Sequence, residues 1–281
     1  MLLKYEGEKL NSFFGFTDNY QIDKQELKDI KGLINIFWNR SNGDCFFILD
    51  GIPQILKPNQ ITTSTYLQKA EFQKGTLPLT SFSFNREFYC IQDHDEEVSC
   101  NGVIFFGTQD TPVITLSLEE VKKFDLLYEV FIDEFKTRDN IQGEMLRMLL
   151  KRLIIKTTRL AKDQLIPKEL NETQVDTIRK FNVLVDIHYK NKRHVSDYAD
   201  LLFKSPKTLS NLFAKYGQKT PLQIIHERLV LEAKRLLLYT DKTAKEIALY
   251  LVFDEVASFH KLFKYIFYQS PRHFKLEMKN A

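Results

Sequence analysis

The sequence predicts an α+β chain of two domains. A small N-terminal β-barrel is followed by an antiparallel helix pair, and then by an all-α domain in which a linking helix joins two helix-turn-helix units. Three observations carry this prediction. Short apolar runs separated by turn residues fill the stretch from Leu33 to Ser117, the hydrophobic period changes to a helical one at Ser117, and a helix with its neighbours recurs about fifty residues apart near the C-terminus. At 281 residues with 43% hydrophobic content, the chain can bury the cores that two domains need.

The strands are read at Leu33 to Phe37, Cys45 to Leu49, Ile61 to Thr65, Leu79 to Phe84, Glu87 to Ile91, Val103 to Phe106 and Val113 to Leu116. Asn42-Gly43, Asp50-Gly51, Lys57-Pro58-Asn59 and Asn101-Gly102 supply the turns between them. Many short strands of this kind predict a barrel or a sandwich. From Ser117, which forms a capping box with Glu120, the residues Val121, Phe124, Tyr128, Phe131 and Phe135 follow one helical seam. A second helix spans about Ile141 to Ala161 with Leu146, Leu149, Leu153 and Leu160, and the break at Arg138 to Asn140 turns it back on the first. The expected boundaries are therefore 1–161 for the first domain, with its helix pair at 117–161, then 162–171 for a linker containing Pro167, and 172–281 for the helical domain.

In the helical domain, Leu209, Leu212, Phe213 and Tyr216 recur at i, i+3, i+4 and i+7, which places them on one buried face. Lys207, Ser210, Asn211 and Ala214 fall on the opposite face, and all are small or polar. Fifty residues on, Phe259, Leu262, Phe263 and Ile266 repeat the apolar set, while Ala257, His260, Lys261 and Lys264 repeat the outward one. The flanks repeat as well. Tyr198-Ala199 corresponds to Ile247-Ala248, and Thr220-Pro221 to Ser270-Pro271. Ser196 and Ser205 are read as N-caps, Pro206 as a first helical residue, and Thr243 with Glu246 as a capping box. Between the units a helix opening at Thr220, Pro221 and Gln223 buries Ile225, Leu229, Ala233 and Leu236 and runs to about Tyr239.

Charge separates the halves. Residues 181–281 carry 17 Lys and Arg against 10 Asp and Glu, and residues 1–180 carry 23 against 27. A basic domain of repeated helix-turn-helix units fits a polyanionic partner. No run approaches the roughly 18 apolar residues of a membrane span, and the N-terminus lacks a signal-peptide layout, so a cytoplasmic protein without a membrane partner is expected. Cys45, Cys90 and Cys100 are too few and too scattered for a disulfide framework or a metal knuckle. They are read as reduced.

The segments His194-Val-Ser-Asp-Tyr-Ala-Asp-Leu-Leu, Ser205-Pro-Lys-Thr-Leu-Ser-Asn-Leu-Phe, Lys219-Thr-Pro, Ala233-Lys-Arg-Leu-Leu and Lys245-Glu-Ile-Ala resemble the AraC/XylS family of bacterial transcription regulators, over about Phe181 to Lys275. The resemblance implies double-stranded DNA as partner, with the second helix of each unit in successive major-groove segments. It directs Lys207, Ser210 and Asn211, and His260 and Lys261, toward bases, with Ser205 and Ser258 among the DNA-binding residues. Lys donates to guanine, Asn pairs with adenine and a hydroxyl serves either base. Lys215, Lys264, Arg272 and Lys275 are expected at phosphates, which give affinity without sequence information. Where the family usually has Gly or a residue tolerant of left-handed backbone in the two turns, this chain has Phe203 and Val252. Tyr268 or a neighbour replaces the Gly expected before Ser270-Pro271.

Cys45 to Thr65 resembles the cupin-like barrels that precede this module in such regulators, which implies effector sensing or dimerisation there. The implied partners are a small-molecule effector, with Trp38, Arg86 and Tyr89 as candidate contacts, a second copy of the chain as a homodimer, and RNA polymerase. The helix-pair seam suits either a partner or the chain's own barrel. His94 is the only His before residue 181, so no cofactor and no His-held metal centre are expected. Two rivals remain. A DNA-repair alkyl transferase sharing the module would need an activated cysteine, and none here has a His beside it. An interaction protein or antagonist of a related regulator would keep the module with weakened DNA binding.

Overall fold

A computed structural model describes residues 1–7, 11–49, 52–66, 68, 70–72, 77–91, 103–105, 111–216 and 219–280. The chain divides into two compact units, with the division between Leu165 and Ile166.

In the first unit the described strands are β1 (Leu2–Glu6), β2 (Phe13–Thr17), β3 (Ile34–Trp38), β4 (Cys45–Leu49), β5 (Ile52–Leu56), β6 (Gln60–Ser64), β7 (Ala70–Phe72), β8 (Thr80–Phe84) and β9 (Val113–Thr115). Helix α1 (Tyr20–Leu27) follows β2. All the ladders are antiparallel and form two sheets, β1-β2-β8-β3-β6-β9 and β5-β4-β7. The α+β organisation is as expected. Ring closure into a barrel is not among the described ladders.

Alternation along the strands explains the packing. Phe14, Phe16, Phe82, Phe84, Ile36 and Trp38 share one face of the larger sheet, as the registers Phe14↔Phe84, Phe16↔Phe82, Ile36↔Phe82 and Trp38↔Thr80 require. Helix α2 (Leu118–Lys136) lies on that face, with Phe124 against Trp38, Tyr128 against Phe16, and Phe131 against Phe14 and Phe82. The seam Phe124, Tyr128, Phe131 and Phe135 is thus consumed inside the chain, while Val121 is only half-buried. On the other face, Phe37 joins Cys45, Phe47, Leu49, Leu56 and Leu79 in an apolar cluster. Helix α3 (Gln142–Leu165) returns along α2 and buries Leu146, Leu150, Leu153, Ile154 and Ala161, with Leu149 and Leu160 half-buried.

Several local expectations are corrected. Glu87 to Ile91 is not a strand: the Asn85 side-chain oxygen accepts from the backbone N–H of both Phe13 and Phe88, and its carbonyl accepts from Phe88 and Tyr89, which curls the chain. Residues 103–105 form a turn ending in one bridge residue, with the Ile104 carbonyl accepting from the Thr63 hydroxyl, and Phe106 lies outside the described residues. Ser117 caps α2 by accepting from the Glu120 N–H, but the Glu120 carboxylate does not complete a capping box. It pairs instead with Lys156 at 2.9 Å and Lys123 at 3.0 Å, which hold it below the usual carboxylate range. Residues 162–165, expected in the linker, continue α3.

The second unit contains α4 (Glu172–His188), α5 (Val195–Leu201), α6 (Pro206–Tyr216), α7 (Pro221–Tyr239), α8 (Ala244–Tyr250), α9 (Val256–Phe267) and α10 (Pro271–Asn280). It has two cores. Phe181, Tyr198, Ala199, Leu209, Leu212, Phe213 and Ile225 form one, and Leu229, Ala233, Leu236, Ile247, Ala248, Phe259, Phe263 and Phe274 form the other. Helix α7 contributes to both, its N-terminal half to the first and its C-terminal half to the second. Thr220 and Gln223 make the capping box that starts it, with Pro221 in its first turn.

Candidate nucleic-acid interface

The interface is built from two copies of one local design. In the first copy, α5 ends in a left-handed residue, Phe203 at φ 52°. The Phe203 N–H donates to the Asp200 carbonyl at 3.1 Å and the Lys204 N–H to the Ala199 carbonyl at 2.9 Å. In the second, α8 ends in Val252 at φ 59°, whose N–H donates to the Leu249 carbonyl at 2.9 Å, while the Phe253 N–H donates to the Ala248 carbonyl at 2.9 Å. Both are Schellman closures, in which left-handed backbone satisfies the last carbonyls of a helix. Phe203 and Val252, the departures noted in the sequence, therefore keep the turn geometry and bear the strain of side chains there. Tyr268 does the same at the end of α9, at φ 58°.

Beyond each turn comes the helix that carries the outward residues. Ser205 starts α6 as its Oγ accepts from the Thr208 N–H at 3.0 Å. Lys207, Ser210, Asn211, Ala214 and Lys215 are all exposed, while Leu209, Leu212 and Phe213 are buried. On α9, Ser258, Lys261 and Lys264 are exposed with Phe259 and Phe263 buried beneath them. His260 is half-buried with its ring edge-on to Phe259 at 5.7 Å. Arg272 on α10 is exposed. The first unit thus exposes all its predicted base-facing residues on α6, whereas the second exposes Lys261 and half-buries His260.

One expectation fails here. Ser196 is not an N-cap: His194 holds that place, because Asp197 Oδ2 accepts from the backbone N–H of Arg193 and of His194, both at 3.0 Å. Lys275 commits two of its three donors elsewhere, its Nζ donating to the Lys242 carbonyl at 2.8 Å and the Thr240 carbonyl at 3.2 Å just beyond the C-terminal end of α7.

Sequence reasoning missed Arg193. Its Nη2 donates to the Leu251 carbonyl and, at 2.5 Å, to the Val252 carbonyl, and its guanidinium lies 4.1 Å from the Phe253 ring centre. Burial lowers its pKa from the ordinary value against the opposing charge of Asp254. The same burial, with Arg193 and His194 nearby, lowers that of His226 on α7.

In the first unit, Trp38 and Tyr89 are buried, the former against Phe124 and the latter against Phe84, and Arg86 is exposed. Cys45 is buried, which pushes its thiol up to about 11 and leaves no reactive thiolate. Among the described residues there is no cluster of His, Cys, Asp or Glu suited to a metal, and no helix is long and apolar enough to cross a membrane. His94 and Cys100 lie outside the described residues.

The fold and the exposed faces of α6 and α9 define a helix-turn-helix domain, the class of DNA-binding domain found in transcription regulators. Residues 198–277 match the family model described as "Helix-turn-helix domain". No curated protein matches the chain in sequence. Among solved structures, the C-terminal domain of the two-component response regulator yesN from Fusobacterium nucleatum subsp. nucleatum is similar at 23% identity, over 36% of this chain and 98% of that one, with a TM-score of 0.34. The DNA-binding domain of AdpA, in complex with a target DNA, is similar at 20% identity over 39% and 96%, TM-score 0.34. ToxT from Vibrio cholerae is similar at 15% identity over 98% and 97%, TM-score 0.42.

Proposed function

We propose that the chain is a sequence-specific DNA-binding transcription regulator of the AraC/XylS kind, a binding protein and not an enzyme. The observation that carries this reading is the duplicated outward face: Lys207, Ser210 and Asn211 on α6, and Ser258, Lys261 and Lys264 on α9, each above an apolar core shared with α7. Asn211 and Lys207 supply base-edge hydrogen bonds in the first half-site, and Lys261 with His260 those in the second. Ser205, Lys215, Lys264 and Arg272 contact the sugar-phosphate backbone. Residues 172–281 are the DNA-binding domain and residues 1–161 a cupin-like regulatory domain that senses an effector or dimerises and acts through DNA affinity or RNA polymerase recruitment. Trp38, Arg86 and Tyr89 are its candidate effector contacts.

Selection of the full chain against random duplexes tests the reading. An enriched bipartite motif, bound with an affinity that falls steeply between about 50 and 200 mM salt, is the expected result. Recovery of no motif, with a related regulator captured as a stable heterodimer, would favour the antagonist instead.

A further inference from the structure

Two units on one helix still need their separation and tilt fixed if both are to meet DNA in register. Helix α7 does part of this. The other connection is the segment from Tyr189 to Arg193, which leaves α4, belongs by sequence to the first unit and reaches across to the second. Tyr189 is buried in the core of the second unit, although α4 itself packs in the first. The Lys190 ammonium sits 3.7 Å from the centre of the Tyr250 ring, on the last residue of α8. Arg193 then makes its two donations to Leu251 and Val252 and stacks on Phe253.

Arg193 is well placed to act as a strut because both ends of it are held. Its backbone N–H is fixed by Asp197 in the first turn of α5. Its guanidinium meets carbonyls at the C-terminal end of α8 that the Schellman closure leaves over, since that closure uses Ala248 and Leu249. A cation at a helix C-terminus is favoured by the dipole, and a planar fork can satisfy two carbonyls while stacking on a ring. The turn it grips is strained at Val252 and has one residue more than its counterpart: Phe253, Asp254 and Glu255 separate Val252 from α9, whereas only Lys204 and Ser205 separate Phe203 from α6. A longer, strained turn with a recognition helix on its far side is where an external tie has most to fix.

We propose that Arg193 is a positioning residue that ties the turn of the second helix-turn-helix unit to the start of the first, and so sets the half-site spacing the protein accepts. This rests on the DNA-binding reading above. Arg193 touches no base; it acts through the placement of α9.

The test uses the full chain and the variants Arg193→Ala and Arg193→Lys. Tyr189 and Lys190 remain in both, so the strap keeps its other contacts. On duplexes in which the half-site separation is changed by one base pair either way, the unaltered protein should lose about tenfold or more in affinity, and Arg193→Ala less than about threefold, with its best affinity also reduced. Arg193→Lys should fall between, since an ammonium keeps the charge and loses the fork. Amide exchange gives a readout independent of DNA: Arg193→Ala should speed exchange at Val252 and Phe253 and leave Phe203 and Lys204 unchanged. An unchanged spacing profile, or unchanged exchange at Val252 and Phe253, overturns the strut. Failure of every form of the protein to enrich a motif would instead overturn the DNA-binding reading, and the strut would then stand or fall on the exchange result.

Discussion

In the first helix-turn-helix unit, Ser205 closes a two-residue passage from Phe203 into α6 and caps that helix with its hydroxyl. In the second, the passage from Val252 into α9 takes three residues and ends at Glu255, whose side chain makes no capping bond. The first unit also exposes Lys207, Ser210 and Asn211, while the second half-buries His260 against Phe259. The first is finished by its own local chemistry. The second borrows its finish from Arg193, outside itself. A repeat can therefore preserve a fold while shifting the burden of ordering from short-range capping to a longer-range tie.

Removing one core at a time breaks the comparison most forcefully. Phe213→Ala and Phe263→Ala should each cost about 3–5 kcal/mol in denaturant unfolding, because each leaves a ring-sized cavity under a recognition helix. Amide exchange should locate the first loss in α5 and α6 and the second in α8 and α9. If both variants loosened the same helices, the two cores would not be separate.

Base discrimination should be unequal. Asn211→Ala should cost about 1–3 kcal/mol of preference at one position of the first half-site, read by competition between single-base variants. His260→Ala should cost less than about 1 kcal/mol, since its ring is partly committed to Phe259. A larger effect from His260 would reverse the ranking.

Turn strain should be greater where the side chain is branched. Val252→Gly should stabilise by about 1 kcal/mol and Phe203→Gly by somewhat less, as left-handed backbone costs a β-branched residue most. Thermal midpoints measured side by side would decide it, and destabilisation by Val252→Gly would show that its side chain makes a contact worth more than the strain.

The smallest effects concern the caps. Ser205→Ala should destabilise by about 1 kcal/mol, and Glu255→Ser should stabilise by about 0.5 kcal/mol by supplying the hydroxyl the second unit lacks. No gain from Glu255→Ser would mean the longer turn holds residue 255 out of capping geometry.

The repeated helices were legible because their apolar faces recur at helical spacing and their starts carry capping residues, as at Ser205, Thr220 and Thr243. The N-terminal strands β1 and β2 were not, although Gly7, Asn11-Ser12 and Asp18-Asn19 flank them, since Leu2–Glu6 and Phe13–Thr17 lack a clean alternation of apolar and polar residues and Gly15 interrupts the second. Glu87 to Ile91 misled because Phe88, Tyr89 and Ile91 are residue types that favour strands, yet Asn85 supplies side-chain hydrogen bonds that outcompete extended backbone. Glu120 and Ser196 misled for one shared reason: a local capping pattern was in competition with a partner distant in sequence or with an adjacent acid, Lys156 for the former and Asp197 for the latter. Arg193 was invisible because nothing in its neighbours announces carbonyls 58 and 59 residues away.

Helix α7 belongs to both cores, and this limits how the domain can be dissected. A fragment ending before α8 would keep the first repeat but expose Leu229, Ala233 and Leu236 to water, and a fragment beginning at α7 would do the same to Ile225. Neither repeat is a module that could be transplanted alone. On the proposed DNA-binding reading, new specificities would have to be engineered by changing the outward residues of α6 and α9 in place, with the shared rod left intact.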